Sequence, residues 1–205
     1  KMIMLTGPTA VGKSALSVEM EKKINGAVIS ADSMQVYRHM DIGSANIRPE
    51  EMCGVPHYLI DVLDPSEEFH VVKFVELAHE AMEKIYAAGQ IPIVTGGTGF
   101  YIQALLKEVD FTESHGELPI RKQLEEKAAT EEGAAELYRE LSEVDPASAE
   151  TIHPNNVKRV IRALEYYHET GQKISEHNEE QKQKESPYCS AYFVLNDERS
   201  ILYDR

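Results

Sequence analysis

Hydrophobic and polar positions alternate along the first half of this chain in a simple way. Met2–Thr6 is a short apolar run halted by Gly7-Pro8, the pattern of a buried strand entering a tight turn. Beyond the turn, Ala15, Leu16, Met20 and Ile24 recur at helical spacing until Asn25-Gly26. Ala27–Ser30 reads as a second strand, ending at Ala31-Asp32-Ser33. Over Phe69–Ala88, the residues Val71, Phe74, Val75, Ala78, Met82 and Ile85 fall on one helical face. Gly89 follows as a C-terminal cap, with Pro92 just beyond. Ile91–Thr95 is a third strand, closed by Gly96-Gly97-Thr98-Gly99, and a helix is expected through Leu106. Strand alternating with helix predicts an α/β protein with a parallel sheet. Ligands of such sheets sit at the carboxyl ends of the strands. Here those ends carry Gly7–Ser14, Asp32–Gln35 and Gly96–Thr98.

From about Phe111 the pattern changes. Glu125–Ala135 and Ala135–Glu143 read as charged amphipathic helices, broken at Asp145-Pro146, and Val157–Glu169 as another helix ending at Gly171. Glu176–Glu185 is polar throughout, an exposed helix or a mobile connection, and Tyr192–Leu195 reads as a returning strand. The expected organisation is an α/β core over 1–110, a helical insert over 111–185, and a return to the core over 186–205.

Gly7-Pro-Thr-Ala-Val-Gly12-Lys13-Ser14 has the G-x-x-x-x-G-K-[ST] pattern, directly after a strand and opening a helix. Glycines let backbone N–H groups face an anion, the helix N-terminus adds its dipole, Lys13 supplies a point charge, and the Ser14 hydroxyl suits Mg²⁺. The loop therefore predicts a P-loop nucleotide-hydrolase-like parallel sheet, with helices on both faces and a helical insert domain. It predicts a bound polyphosphate without saying which one. A nucleotide kinase or ATPase would add an apolar strand ending in a metal-positioning acid. Tyr58-Leu-Ile-Asp61 fits that description, although Asp61 equally fits a turn before Asp64-Pro65. Asp32, at the end of the second strand, would face the loop as a general base, or would cap a short helix; the two roles are compatible.

Composition changes the picture only in part. The net charge of −14 argues against a nucleic-acid partner, yet half of it falls within residues 111–150, and Lys158, Arg159 and Arg162 form an acid-free basic stretch. Those cations also suit the solvated side of a helix whose apolar face is Val157, Val160, Ile161 and Leu164. No apolar run approaches the ~20 residues of a membrane span, and no cleavage site follows the first apolar run. Cys53 and Cys189 belong to no metal or redox spacing, so two buried or idle thiols in a reducing cytoplasm are expected.

Six blocks, GPTAVGKS, DSMQVYR, the DIGSA stretch from Asp41, VPHYLIDVLDP, GGTGFYIQALL and IHPNNVKRVIRALEYYHETG, resemble in order the tRNA dimethylallyltransferases. The closing Glu198-Arg-Ser-Ile-Leu-Tyr-Asp-Arg205 is also similar. The resemblance implies a cytoplasmic, monomeric transferase of tRNA modification. Such an enzyme moves a dimethylallyl group from dimethylallyl diphosphate to N6 of the adenine 3′-adjacent to the anticodon, with Mg²⁺ assisting. It implies that Gly7, Thr9, Ala10, Val11, Gly12, Lys13 and Ser14 hold the donor diphosphate, with Ser14 on the metal. It gives catalytic roles to Asp32, Lys13 and Thr98. For the tRNA it implies contacts from Asp32, Ser33, Met34, Gln35 and Thr98, from Arg121, and from Lys158, Arg159, Val160, Ile161 and Arg162. Tyr101, Tyr166 and Tyr167 are expected to pack rather than stack on bases. Two departures stand out. Ser44-Ala45-Asn46 replaces the family's common Thr-Ala-Lys, which removes a cation. The chain also stops where family members continue, and is expected to be a fragment of a longer protein. Two rivals share the loop: an isopentenyltransferase acting on free adenine nucleotide, and a small-molecule or nucleotide kinase.

Overall fold

The computed structural model describes residues 1–40, 46–111 and 119–204. The DIGSA stretch from Asp41, with Ser44 inside it, the segment 112–118 and the closing Arg205 lie outside the described residues. The chain folds as two compact units, one formed by 1–109 with 185–205 and the other by 110–184.

The first unit is built on strands whose residues are predominantly apolar. Strand β1 (Met2–Thr6) leads through the Gly7–Gly12 loop into helix α1 (Lys13–Ile24), and strand β2 (Gly26–Ser30) follows. A short α2 (Pro49–Met52) and the two-residue β3 (His57–Tyr58) come next. Then come α3 (Val71–Ala87), β4 (Ile91–Gly96), α4 (Gly99–Lys107) and, after the second unit, β5 (Ser190–Val194). All pairings are parallel, in the order β3-β2-β4-β1-β5. Successive side chains of a strand face opposite sides, and the sheet uses both. Met2, Met4, Ala27, Ile29 and Val94 pack with Phe74, Ala78, Met82 and Ile85 of α3 and Ile102 and Leu105 of α4. Val28, on the other side of β2, packs with Val18 of α1 and Val55. Fully burying each such aliphatic side chain contributes about 1.5–3 kcal/mol.

Two expectations need adjusting here. The strand offered at Tyr58–Asp61 is in fact the two residues His57–Tyr58, and the last strand, placed at Tyr192–Leu195, starts at Ser190 in register with Met2. Tyr188, just before it, is fixed by a hydrogen bond from its hydroxyl to Glu108 Oε1 at 2.7 Å. No helix among the described residues is long and apolar enough to cross a membrane.

The second unit is helical: α5 (Pro119–Lys127), α6 (Glu131–Val144), α7 (Pro146–Thr151), α8 (Val157–Thr170) and α9 (Ile174–Gln183). Back in the first unit, the last described helix is α10 (Arg199–Tyr203). The expected helix over 125–135 is in fact broken. Thr130 caps α6, its Oγ1 accepting from Gly133 N at 3.1 Å, so α5 ends at Lys127. Asp145-Pro146 is the cap and first residue of α7 as well as the end of α6. The polar stretch near 176–185 is helical as α9, with Gln181 its buried residue. Leu124, Leu137, Leu141, Val160, Ile161 and Leu164 form the core of this unit.

Candidate active site

The loop after β1 owes its shape to residues with positive φ. Gly7 sits at φ 151°, where an added Cβ would meet the Leu195 carbonyl; Ala10 (φ 65°) and Gly12 (φ 93°) take left-handed conformations. Such a turn gathers successive N–H groups into an anion-binding concavity. Gly12 caps α1 without a side-chain bond, so the first N–H groups of a twelve-residue helix are left for a ligand. Lys13 folds back over this loop. Its Nζ donates to Gly7 O at 3.0 Å and to Pro8 O at 2.7 Å. Burial pulls its pKa below the ordinary 10.5, against a smaller opposing pull from the Asp32 carboxylate.

Asp32 lies just past the end of β2. Its Oδ1 accepts from Met34 N at 2.9 Å and from Gln35 N at 3.4 Å, so the carboxylate caps a turn. Gln35 is steadied in turn, its Oε1 accepting from Ser30 Oγ at 2.8 Å. Both of the Asp32 bonds use one oxygen, and Oδ2 remains for a proton. The capping and base roles are thus geometrically compatible.

The three strand ends meet around a cavity of about 410 Å³. The loop supplies Thr9, Ala10, Gly12, Lys13 and Ser14, the end of β2 supplies Asp32, Met34 and Gln35, and the end of β4 supplies Thr95, Gly96 and Gly97. Gly96 lets β4 approach, since any side chain there would run into the Ala31 backbone. Of the other expected residues, Gly7, Val11, Ser33 and Thr98 lie outside this lining. Gly7 acts through its carbonyl on Lys13. Thr98 precedes α4 without a side-chain capping bond, and its N–H donates to Ala31 O at 3.3 Å, the residue before Asp32.

Patterning missed Thr95. In the sheet order, the strand beside the loop-bearing β1 is β4, with Leu5 opposite Thr95. The next-to-last residue of β4 is thus a threonine that is 8% exposed and whose Oγ1 has no hydrogen-bond partner among the described residues. Asp61 follows the edge strand β3 instead, outside the cavity lining, and accepts from Asn46 Nδ2 at 3.3 Å. A neighbouring hollow of about 570 Å³ shares Ser14 and Ala15 and is lined by Asn46, Ile47, Arg48 and Glu51. Arg48 thus places a cation two residues from the position where the family's lysine is replaced.

In the helical unit, Lys158 and Arg159 are exposed near the start of α8, and Arg162 is half-buried. Arg121, on α5, meets Arg162 at a common acceptor, Glu165. Val160 and Ile161 do not join them. They are 1% and 4% exposed, and their apolar side chains pack α8 into the helical core. Tyr101 and Tyr166 are buried as expected, Tyr101 stacked on Phe74 with ring centroids 4.8 Å apart. Cys53 and Cys189 are free and exposed rather than buried.

Comparison with known proteins fits this geometry. Residues 35–205 match the profile of the IPP transferase family. The tRNA dimethylallyltransferase of Lachnoclostridium phytofermentans is 62% identical over 99% of this chain, and that of Bacillus cytotoxicus 47% identical over all of it. The chain spans 64% of the length of each. Among solved structures, a eukaryotic dimethylallyltransferase acting on tRNA superposes with a TM-score of 0.86 at 38% identity, over 99% of this chain and 50% of that one. The full-length tRNA isopentenylpyrophosphate transferase of Bacillus halodurans gives 0.65 at 44% identity, over 100% and 62%. With the profile extending from the Asp32 turn to the last residue, this chain belongs to the IPP transferase family.

Proposed function

We propose that the complete protein transfers a dimethylallyl group from dimethylallyl diphosphate to N6 of the adenine 3′-adjacent to the anticodon in tRNA, releasing diphosphate. The observation that carries this reading is the single cavity in which the phosphate-binding loop, Lys13 and the Asp32 carboxylate meet. A donor diphosphate seated on the loop amides would meet the Lys13 ammonium, which exchanges its Gly7 and Pro8 carbonyl partners for phosphate oxygens. As the allylic C–O bond breaks, the departing diphosphate gains charge, which the ammonium and the amides at the start of α1 stabilise. The incoming N6 amine is a weak nucleophile because its lone pair is delocalised into the ring. As the N6–C bond forms, its proton passes to Asp32 Oδ2. Thr9 and Thr98 supply small hydroxyls toward donor and adenine.

Mg²⁺ suits these residues. It keeps several waters and typically takes one or two protein oxygens plus substrate phosphates, and the Ser14 hydroxyl shares the cavity with the diphosphate seat. Bound there, it would neutralise charge on the leaving diphosphate. The tRNA would be read by Ser33, Met34 and Gln35 beside Asp32, with Arg121, Lys158, Arg159 and Arg162 of the helical unit on its backbone.

The test incubates the complete protein with labelled dimethylallyl diphosphate and either unmodified tRNA or AMP. Label in tRNA, lost when the adenine next to the anticodon is replaced, is expected. Label in AMP with none in tRNA would overturn the acceptor. ATP protecting the fold against heat while the donor does not would overturn the whole reading.

A further inference from the structure

The order of the sheet decides where a group passing from one side of the cavity to the other must lie. β4 is hydrogen-bonded to β1 on one side and to β2 on the other, with Thr6 opposite Gly96 and Ser30 opposite Thr95. The phosphate-binding loop and Lys13 follow β1, and Asp32 follows β2. Two strand spacings, about 10 Å, separate these two neighbours of β4. The floor between them is the end of β4, where Thr95, Gly96 and Gly97 line the cavity. Thr95 Oγ1, on this floor, is buried and has no partner among the described residues.

The two glycines of this floor lack side chains for different reasons. A Cβ on Gly96 would run into the Ala31 backbone, so the fold itself excludes one. Gly97 has no such constraint. Its φ is not positive, and a Cβ there would find Gly7 O, at 3.9 Å, as its nearest neighbour among the described residues. That is ordinary contact distance. Alanine would therefore fit the folded chain at this position and, by restricting the unfolded one, would favour folding. Gly97 is also exposed, so no packing calls for its small size. What an added side chain would occupy is the cavity. Its long apolar lining residue, Met34, is held beside Asp32 by the bond from its N–H to Oδ1 at 2.9 Å.

We propose that Gly97 is a specificity-determining residue for the donor: the dimethylallyl group lies over the end of β4, in space that a side chain at position 97 would take. This rests on the reading of the donor given above. With the diphosphate on the loop and the amine beside Asp32, the transferred carbons have to bridge the span across β4. The experiment uses the complete protein without tRNA. It measures Kd for dimethylallyl diphosphate and for inorganic diphosphate, together with the melting temperature. Gly97→Ala should weaken dimethylallyl diphosphate about tenfold, the lower end for one methylene's volume in a pocket, and leave inorganic diphosphate within about twofold. Its melting temperature should be unchanged or raised. Gly97→Val should weaken the donor further; a loss that does not grow with side-chain size would reflect the backbone rather than volume and overturn the proposal. Equal losses for both ligands would put Gly97 at the phosphate seat, and unchanged affinity for both would leave the space over β4 unused by the donor; either overturns it. An alanine variant that melts lower or fails to fold would show that the fold needs the glycine, which overturns it too. The two levels separate in the wild type. Binding of inorganic diphosphate without dimethylallyl diphosphate sinks the donor reading itself, whereas donor binding that Gly97→Ala matches sinks only the role of Gly97.

Discussion

Lys13, at the start of α1, is tethered to two neutral carbonyls, whereas Arg121 and Arg162 in the helical unit share one buried carboxylate. The tethers have opposite consequences. Backbone carbonyls hold an ammonium in place without cancelling its charge, so a phosphate arriving at the loop meets the full cation. A carboxylate cancels part of the charge it holds but fixes the plane of each guanidinium. Sites that must stabilise charge appearing during a reaction need the first kind. Sites that must hold a long polyanion in register need the second. The molecule thus carries an ammonium held by neutral carbonyls in one unit and two guanidiniums sharing a buried carboxylate in the other, within a chain of net charge −14.

The sharpest way to break this contrast is at Asp32. Asp32→Asn keeps a carbonyl oxygen to accept from Met34 and Gln35, so the turn survives, but the proton acceptor is lost. Turnover should fall by about 10²–10⁴, the range for a positioned base, with donor KM within about threefold. Single-turnover transfer to tRNA checks it, and unchanged turnover would remove Asp32 from the chemistry.

Next in size is a change confined to the helical unit. Asp145, 2% exposed, accepts from Ser148 N (3.1 Å), Ser148 Oγ (2.7 Å), Ser175 N (3.0 Å) and Ser175 Oγ (2.6 Å), joining the start of α7 to the start of α9. Asp145→Ala strands these donors and should destabilise the unit by about 2–4 kcal/mol. Denaturant unfolding measures the loss, while donor KM in the folded enzyme should hold. Burial alone would push this carboxyl up, but the bonds from Ser175 and Ser148 together bring it below 3.8. A depressed folded-state pKa means that the stabilisation is present above pH 3.8 and is lost as the pH falls through the folded value. The stability gap between wild type and Asp145→Ala should therefore narrow on acidification below that point, and a gap that persists unchanged would sink the assignment.

Lys13→Ala probes the other seat. Losing one charge-assisted partner should cost about 10–100-fold in kcat/KM for the donor. Stem-loop affinity should be untouched; equal losses for both ligands would erase the contrast between the two units.

What the sequence made legible follows from the range of the signals involved. β1, β2 and β4 were readable because each is a short apolar run ending in glycine or a turn residue, and α3 because Phe74, Ala78, Met82 and Ile85 keep helical period over about three turns. The loop was readable because its chemistry lies within eight consecutive residues. The break at Ala128–Thr130 was not, since Ala-Ala continues a helical pattern and only the capping bond to Gly133 ends it. Glu165 was equally hidden. Three residues after Arg162 it reads as one more solvated carboxylate beside a basic stretch, and its meaning depends on Arg121, 44 residues earlier, arriving from another helix.

Thr95 was hidden for a different reason: a threonine near the end of a strand looks like a β-former, and its place in the cavity lining appears only once β4 lies beside β1. The smallest predicted effect is here. The hydroxyl is buried, lines the cavity with Ser14, and has no partner among the described residues. An idle buried hydroxyl is a cost to the fold, so if it serves nothing, Thr95→Val should leave turnover alone and leave stability equal or slightly higher. If it bonds the donor diphosphate, or a water between it and Ser14, the isosteric change should lower kcat/KM for the donor about three- to tenfold, the worth of one neutral hydrogen bond. We expect the latter, with melting temperature unchanged or raised and stem-loop affinity unaltered. A stability gain accompanied by full activity would return Thr95 to the sheet and leave the loop and Asp32 as the whole of the donor seat.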